Sequence, residues 1–175
     1  MTTLRFLIPA FFIGSLLTAC SQSAPVTTIS PPDYDTAPLN LSTPEHTAYS
    51  MMIAMYRGDV DMIDQIFTES GTLQRVKADG SIELNGLSPW RDRVGTFKVG
   101  QAHEELFDIK AQTFGTLATV WAPFTIRFDG NLVGCGVNHF SMSQKNGQWR
   151  IISGMDVQAP KEDCDDFQQS YKAAQ

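Results

Sequence analysis

The chain has 175 residues, 42% of them hydrophobic, with 13 Lys and Arg against 19 Asp and Glu and a formal net charge of −6. This length suits one domain with a tail, and the apolar fraction excludes a disordered chain. Because an acidic chain lacks the basic face that phosphate groups require, we expect no nucleic-acid partner and no electrostatic docking on anionic lipid.

Residues 1–19 predict an export signal. Arg5 provides its positive start, and residues 6–17 are almost wholly apolar but fall short of the ~20 residues that span a bilayer. The sequence LTAC, which ends at Cys20, resembles the lipobox of bacterial lipoproteins. That resemblance implies a lipid on Cys20 as membrane anchor, and Ser21 after it implies sorting to the outer membrane, facing the periplasm. An ordinary signal peptide with an unrelated cysteine is the alternative.

Residues 20–41 predict a lipid-anchored flexible tether. They contain four prolines and many Ser and Thr residues without apolar periodicity, a composition that cannot bury enough surface to fold alone. We expect the folded domain at residues 42–160. The acidic tail at residues 161–175 is most simply a solvated chain end.

Three helices are predicted at the start of the domain. Thr43 is a suitable N-cap before Pro44, and Gly58 ends this first helix. Asp59 caps a second, short helix, and the third helix covers residues 88–94.

The remainder of the domain predicts strands. Two short extended pieces, residues 71–76 and 81–84, precede the third helix. Three longer strands follow it, separated by the turn sequences Asp129-Gly130 and Asn146-Gly147: residues 116–128, 132–144 and 148–157. Helices followed by an antiparallel sheet indicate an α+β fold.

The strand register predicts a curved sheet. If the first turn pairs Phe128 with Leu132, the apolar face pairs Ile126 with Gly134, Phe124 with Gly136, Ala122 with Asn138, and Val120 with Phe140. Two glycines then lie opposite large side chains, which predicts curvature and leaves room above the sheet. Asn138 is the one clear hydrogen-bonding side chain in that row.

Two sets of motifs carry a family resemblance. The sequence YRGDVD at residues 56–61, followed by Ile66-Phe67, is similar to a turn of the nuclear transport factor 2-like (NTF2-like) superfamily, which includes ketosteroid isomerase and scytalone dehydratase. The strand motifs LATVWAPF, CGVN and GQWRI resemble a bacterial subgroup of lumazine-binding-like proteins. The resemblance covers residues 44–157. It implies a cone-shaped roll, in which the three N-terminal helices pack in a strongly curved antiparallel sheet around an apolar pocket.

The same resemblance implies where a ligand and catalytic groups would lie. The positions of the isomerase tyrosine, base and protonated acid fall at Met51, Arg75 and Asn138, so we expect no catalysis of that type. No HxH or HxxxH pair occurs, and we expect neither a metal nor a cofactor. The candidate pocket residues are Arg75, Trp90, Phe124, Asn138 and Phe140. Each has a structural alternative, as a core side chain or, for Arg75, as a solvated strand residue.

Three functions stay open on the sequence. The preferred one is a lipid-anchored module whose pocket binds a small apolar or amphipathic molecule without catalysis. The second is an isomerase- or dehydratase-type enzyme whose base is Asp108 or His103. The third is an envelope interaction module that forms a homodimer through the outer sheet face, where Trp121 and His139 pair across strands.

Two cysteines remain after Cys20. Cys135 and Cys164 form an even pair, and the oxidising periplasm permits a disulfide between them. The alternative is that Cys135 is a small, unpaired strand residue and Cys164 a free thiol.

Overall fold

The computed structural model describes residues 29–83 and 86–174. The predicted signal sequence, Cys20, the start of the predicted tether and the end of the predicted strand at 81–84 lie outside these residues. The described elements, in chain order, are α1 (Pro44–Arg57), α2 (Val60–Ile66), β1 (Phe67–Val76), β2 (Ile82–Glu83), α3 (Leu87–Val94), β3 (Ala102–Leu106), β4 (Lys110–Phe114), β5 (Leu117–Phe128), β6 (Asn131–Lys145), β7 (Gln148–Gln158) and α4 (Phe167–Ala173). Among the described residues, no helix has the length and apolarity needed to cross a membrane.

Local sequence explains the predicted helices. Thr43 accepts a hydrogen bond from the backbone N–H of His46 at the start of α1, and Gly58 ends α1 in the left-handed conformation with φ of 67°. Asp59 caps α2 by accepting from the N–H of Met62. Residues 47–55 of α1 are all buried, so this helix forms the centre of the core.

The sheet is curved, unclosed and mixed. Its strand order is β2-β1-β7-β6-β5-β3, and β4 also pairs with β5. The predicted antiparallel arrangement holds for every described pair except β1 and β7, which run parallel. β1 follows α2 directly and lies beside β7, the last strand of the chain. The α+β cone is otherwise as predicted.

The β5–β6 register agrees with the sequence except at the hairpin. The four predicted pairs from Val120–Phe140 to Ile126–Gly134 are present. The predicted pairing of Phe128 with Leu132 is wrong, because a bulge after Ile126 pairs Phe128 with Asn131. The turn explains the shift. Asp129 and Gly130 both have positive φ, at 50° and 78°, as in a two-residue hairpin turn, which closes on positions 128 and 131.

The expected room above Gly134 and Gly136 is also absent. A Cβ on Gly136 would collide with the carbonyl oxygen of Val157, and Gly136 pairs directly with Gln158. A Cβ on Gly134 would lie 3.3 Å from Cγ2 of Ile126. Gly136 therefore permits close approach of β7.

Residues 29–41, here called the strap, pack on the domain, in contrast to the predicted free tether. Arg57 of α1 donates to the carbonyl oxygens of Tyr34 and Ala37, both at 2.8 Å. Leu41 is buried, and its carbonyl accepts from the N–H of Trp149 at 2.8 Å. Four further strap residues pack on the core: Ile29, Tyr34, Ala37 and Leu39. A few apolar side chains and one arginine are enough to dock this proline-rich segment.

The C-terminal segment also differs from the predicted solvated tail. Cys164 is buried and forms a disulfide with Cys135, with their Cα atoms 5.3 Å apart. On α4, Tyr171 accepts a hydrogen bond from Nε1 of Trp121 at 2.9 Å. The ring of Tyr171 also lies 5.9 Å from that of Phe107. The segment thus covers part of the outer face of the sheet.

Candidate functional site

A small cavity of about 90 Å³ lies between α1 and the concave face of the sheet. One wall consists of three methionines on one side of α1, Met51, Met52 and Met55. The sheet and α3 supply the other lining residues: Leu73, Gln74, Arg75, Trp90, Glu104, Asn138 and Asp156. The methionines, Leu73 and Trp90 form the apolar half of the wall, and charged and amide groups converge on the other half from β1, β3, β6 and β7.

Glu104 is the buried acid of this cavity. It lies on β3 between Ala102 and Leu106, and all three are buried because alternate strand residues point into the cone. Only 7% of its surface is exposed. The hydroxyl of Tyr34, in the strap, donates a hydrogen bond to the backbone carbonyl of Glu104 at 2.7 Å. The strap therefore helps to seal Glu104 from solvent.

Asn138 is the direct partner of this acid. Its Nδ2 donates to Oε1 of Glu104 at 2.6 Å. Burial raises the pKa of Glu104 to about 7, because the charged form loses its hydration. The hydrogen bond from Asn138 and the charge of Arg75 oppose this rise, and Asp156 adds to it. Near neutral pH the cavity therefore holds a carboxyl group that is present in both protonation states.

Arg75 and Asp156 form an ion pair at the edge of the cavity. Nε of Arg75 donates to both carboxylate oxygens of Asp156, at 2.9 and 3.1 Å, and Nη2 donates at 2.6 Å. The hydrogen bonds to Asp156 raise the pKa of Arg75. The Arg75 side chain is 41% exposed and that of Asp156 15%. The pair is therefore half in solvent, and each charge largely neutralises the other.

A wider groove of about 380 Å³ adjoins the cavity. Met55, Arg75 and Trp90 line both spaces, so they form the junction. Beyond it the groove is mainly apolar, with Arg93 and Gln158 as its two polar lining residues and walls of Val94, Phe97, Ala102, Ile126, Phe128 and Val133. The two spaces together have one polar end and one apolar end.

The predicted site residues divide into two groups. Arg75, Trp90 and Asn138 line the cavity. Phe124 and Phe140 do not, since both are fully buried in the core against α1. Their positions on the concave face are right, but the helix covers them.

Neither predicted base reaches the cavity. His103 points outward and packs between the rings of Tyr34 and Tyr56, with centroids 4.8 and 5.1 Å away. Asp108 is exposed and lies 3.5 Å from the ammonium of Lys110. Glu104 occupies the place expected of such a group. Within the described residues, no three His, Cys, Asp or Glu side chains are arranged to hold a metal ion.

No protein-family model matches the sequence, and no curated protein matches it. Solved structures do share its fold. An NTF2-like protein of unknown function from Shewanella baltica has a TM-score of 0.51 and 15% identity, covering 66% of this chain and 90% of that one. A proposed dehydratase of the NTF2-like family from Streptomyces avermitilis has a TM-score of 0.52 and 16% identity, covering 69% and 96%.

A third structure with this fold is an association domain. The association domain of Caenorhabditis elegans CaMKII has a TM-score of 0.52 and 15% identity, covering 64% of this chain and 90% of that one. At such identities the likeness concerns the fold alone. It agrees with the helices, the curved unclosed sheet and the cavity between them, and the described domain therefore has the NTF2-like fold.

Proposed function

We propose that this protein is an envelope lipoprotein whose NTF2-like domain binds a small molecule in the cavity at Glu104 and Asn138. The observation that carries the proposal is a small cavity with a buried carboxyl and amide, which adjoins a larger and mainly apolar groove. The isomerase positions hold Met51, Arg75 and Asn138, and the first two supply neither a tyrosine nor a base. Binding without catalysis is therefore the function that the geometry supports best.

Native mass spectrometry of the protein from its own host tests this proposal. We expect a species heavier than the polypeptide with its lipid, which dissociates on collisional activation. Met55→Trp fills the junction between cavity and groove, and this variant should lose the added mass. Its thermal unfolding shows whether it remains folded, because overpacking costs about 1–3 kcal/mol. The absence of any retained molecule, or its equal retention by M55W, contradicts the proposal.

We also propose that Cys20 carries the lipid that anchors the protein in the outer membrane. The strap begins by residue 29, so only residues 21–28 separate it from Cys20. Fully extended, such a length reaches about 30 Å, which holds the domain near the membrane. Metabolic labelling with an alkynyl fatty acid should mark the wild type but not Cys20→Ala. Labelling of both forms contradicts the proposal.

A second candidate function is acid–base catalysis by Glu104. Its pKa of about 7 is suitable for a group that gives and takes protons at neutral pH. The dehydratase proposed for the S. avermitilis structure is of that reaction class. Deuterium exchange into cyclohexanone, followed by NMR, tests for such a base. Wild type and Glu105→Gln should exchange faster than Glu104→Gln, and equal rates in all three count against catalysis.

A further inference from the structure

We propose that the ligand of this pocket is an amphipathic amine, with its ammonium group at Glu104 and Asn138 and its apolar chain in the groove. This inference rests on the proposed binding function and specifies the chemical class of the ligand. It depends on three features of the site, namely its hydrogen-bond acceptors, its charge and its shape.

The inner end of the cavity presents acceptors. Glu104 is 93% buried, and Asn138 occupies one of its oxygens. Within the described residues, the hydrogen bond between Asn138 and Oε1 of Glu104 is the only one shown for either side chain, and neither the second carboxylate oxygen nor Oδ1 of Asn138 is among the fully buried atoms that lack a partner, so both are open to the cavity. Both residues line the cavity. A ligand group that fits between these oxygens must donate hydrogen bonds, as an ammonium does with three N–H groups.

The charges around the cavity favour a cation. The charged or titratable groups that face Glu104 are Arg75 from β1, Asp156 from β7 and Tyr34 from the strap. Arg75 is engaged with Asp156 through three hydrogen bonds. Once Glu104 is ionised, these groups sum to one negative charge, and the carboxylate of Glu104 is itself desolvated. An ammonium compensates this charge, whereas an anionic head group would meet two carboxylates.

The shape fits a small head and a larger apolar body. A cavity of about 150 Å³ holds a benzene ring, so 90 Å³ takes only a few heavy atoms. Trp90 lies at the junction, and its indole ring can interact with the ammonium group through a cation–π contact. The apolar groove of about 380 Å³ beyond it accommodates an alkyl or aryl chain. A primary amine on such a chain matches both spaces.

The amine should bind more tightly as pH rises. An alkylammonium stays charged up to about pH 10, like the lysine side chain. Its carboxylate partner ionises with a pKa of about 7, so the affinity should rise on the order of 100-fold from pH 5 to pH 8. A carboxylic acid ligand would show the opposite trend, because ionised Glu104 would repel it.

Calorimetric titration with octylamine, octanoate and 1-octanol tests the inference, since these probes share one chain length. We expect octylamine to bind at least tenfold more tightly than octanol at pH 8, and octanoate to bind worst. Glu104→Gln should reduce the affinity for octylamine to that for octanol, whereas Glu105→Gln, on the outer face of the same strand, should not change it. The pH series on the wild type needs no variant, so the test stands even if E104Q misfolds.

The other possible results each contradict one part of the proposal. Tighter binding of octanol or octanoate refutes the amine and leaves the binding function in place. Octylamine affinity that does not change from pH 5 to pH 8, or that is the same in E104Q, shows that the ammonium does not pair with Glu104. Failure of all three probes to bind refutes the inference. If native mass spectrometry also finds no retained molecule, the proposed function fails independently.

Discussion

Replacing Glu104 with Gln should change how the stability of the protein depends on pH. Glutamine has nearly the shape of the protonated acid and does not titrate. In the wild type, the folded state holds its proton on Glu104 up to about pH 7, whereas the unfolded chain releases it near pH 4.5. Between these values the folded state binds more protons, so the free energy of unfolding falls as pH rises.

The structure sets the size of this effect. A pKa that rises from 4.5 to about 7 corresponds to about 3 kcal/mol, at ~1.4 kcal/mol per unit. Below pH 4.5 the penalty is absent and wild type and E104Q should be equally stable within about 1 kcal/mol. Above pH 7 the wild type carries the full cost of a buried charge. E104Q should then be more stable by about 3 kcal/mol.

Urea unfolding of the oxidised protein, measured in steps from pH 4 to pH 8.5, gives these free energies. Subtracting the two curves removes the titration of all other groups. Glu105→Gln is the matched control, because it removes a neighbouring carboxyl that is exposed on the other face of β3. Its curve should not diverge from the wild type with rising pH in the same way. If the E104Q and wild-type curves stay parallel, Glu104 does not have the raised pKa inferred from its burial.

Four further variants test how the domain is held together. Replacing Cys135 and Cys164 by Ser removes a disulfide between residues 29 positions apart, and the free energy of urea unfolding should fall by about 3–4 kcal/mol. If the reduced wild type is as stable as the oxidised wild type, the disulfide does not contribute this stability. Arg57→Ala removes two charged hydrogen bonds to the strap. The free energy of unfolding should fall by about 2 kcal/mol, and residues 29–41 should be cleaved faster by a protease. An unchanged cleavage rate contradicts the docking of the strap. Gly136→Ala should lower the free energy of unfolding by about 1–3 kcal/mol, and Gly134→Ala should lower it by less, because only the Cβ at position 136 collides with backbone. Similar melting temperatures of the two variants exclude the close approach of β7 to Gly136.

Most of the fold could be predicted from the sequence, because helix caps and turn residues act within a few residues of the chain. Thr43, Gly58 and Asp59 bound the helices through contacts within a few residues. Asp129-Gly130 pairs strands that are adjacent in sequence, so alternation and turn type determine most of the register. The same turn rule, applied strictly, also predicts the pair 128–131 that a simple alternation misses.

The docking of the strap and of the C-terminal segment could not be predicted, because both have the composition of a flexible, solvated segment. Their docking depends on contacts that are distant in sequence, such as Tyr34 with Glu104 and Trp121 with Tyr171. Single aromatic residues in a polar segment carry no periodicity. A short proline-rich stretch can therefore lie on a domain without showing it in the pattern.

Glu104 could have been identified from the sequence, because Ala102 and Leu106 place it on the buried face of a strand. What the sequence could not show is that Glu104 and Arg75 line the same cavity, where the charge of Arg75 acts on the carboxyl. These residues lie on β3 and β1, which are separated in the sheet by β5, β6 and β7. The curvature of the sheet brings both strands to one cavity. The chemistry of this pocket therefore depends on a charge arrangement that no single motif contains.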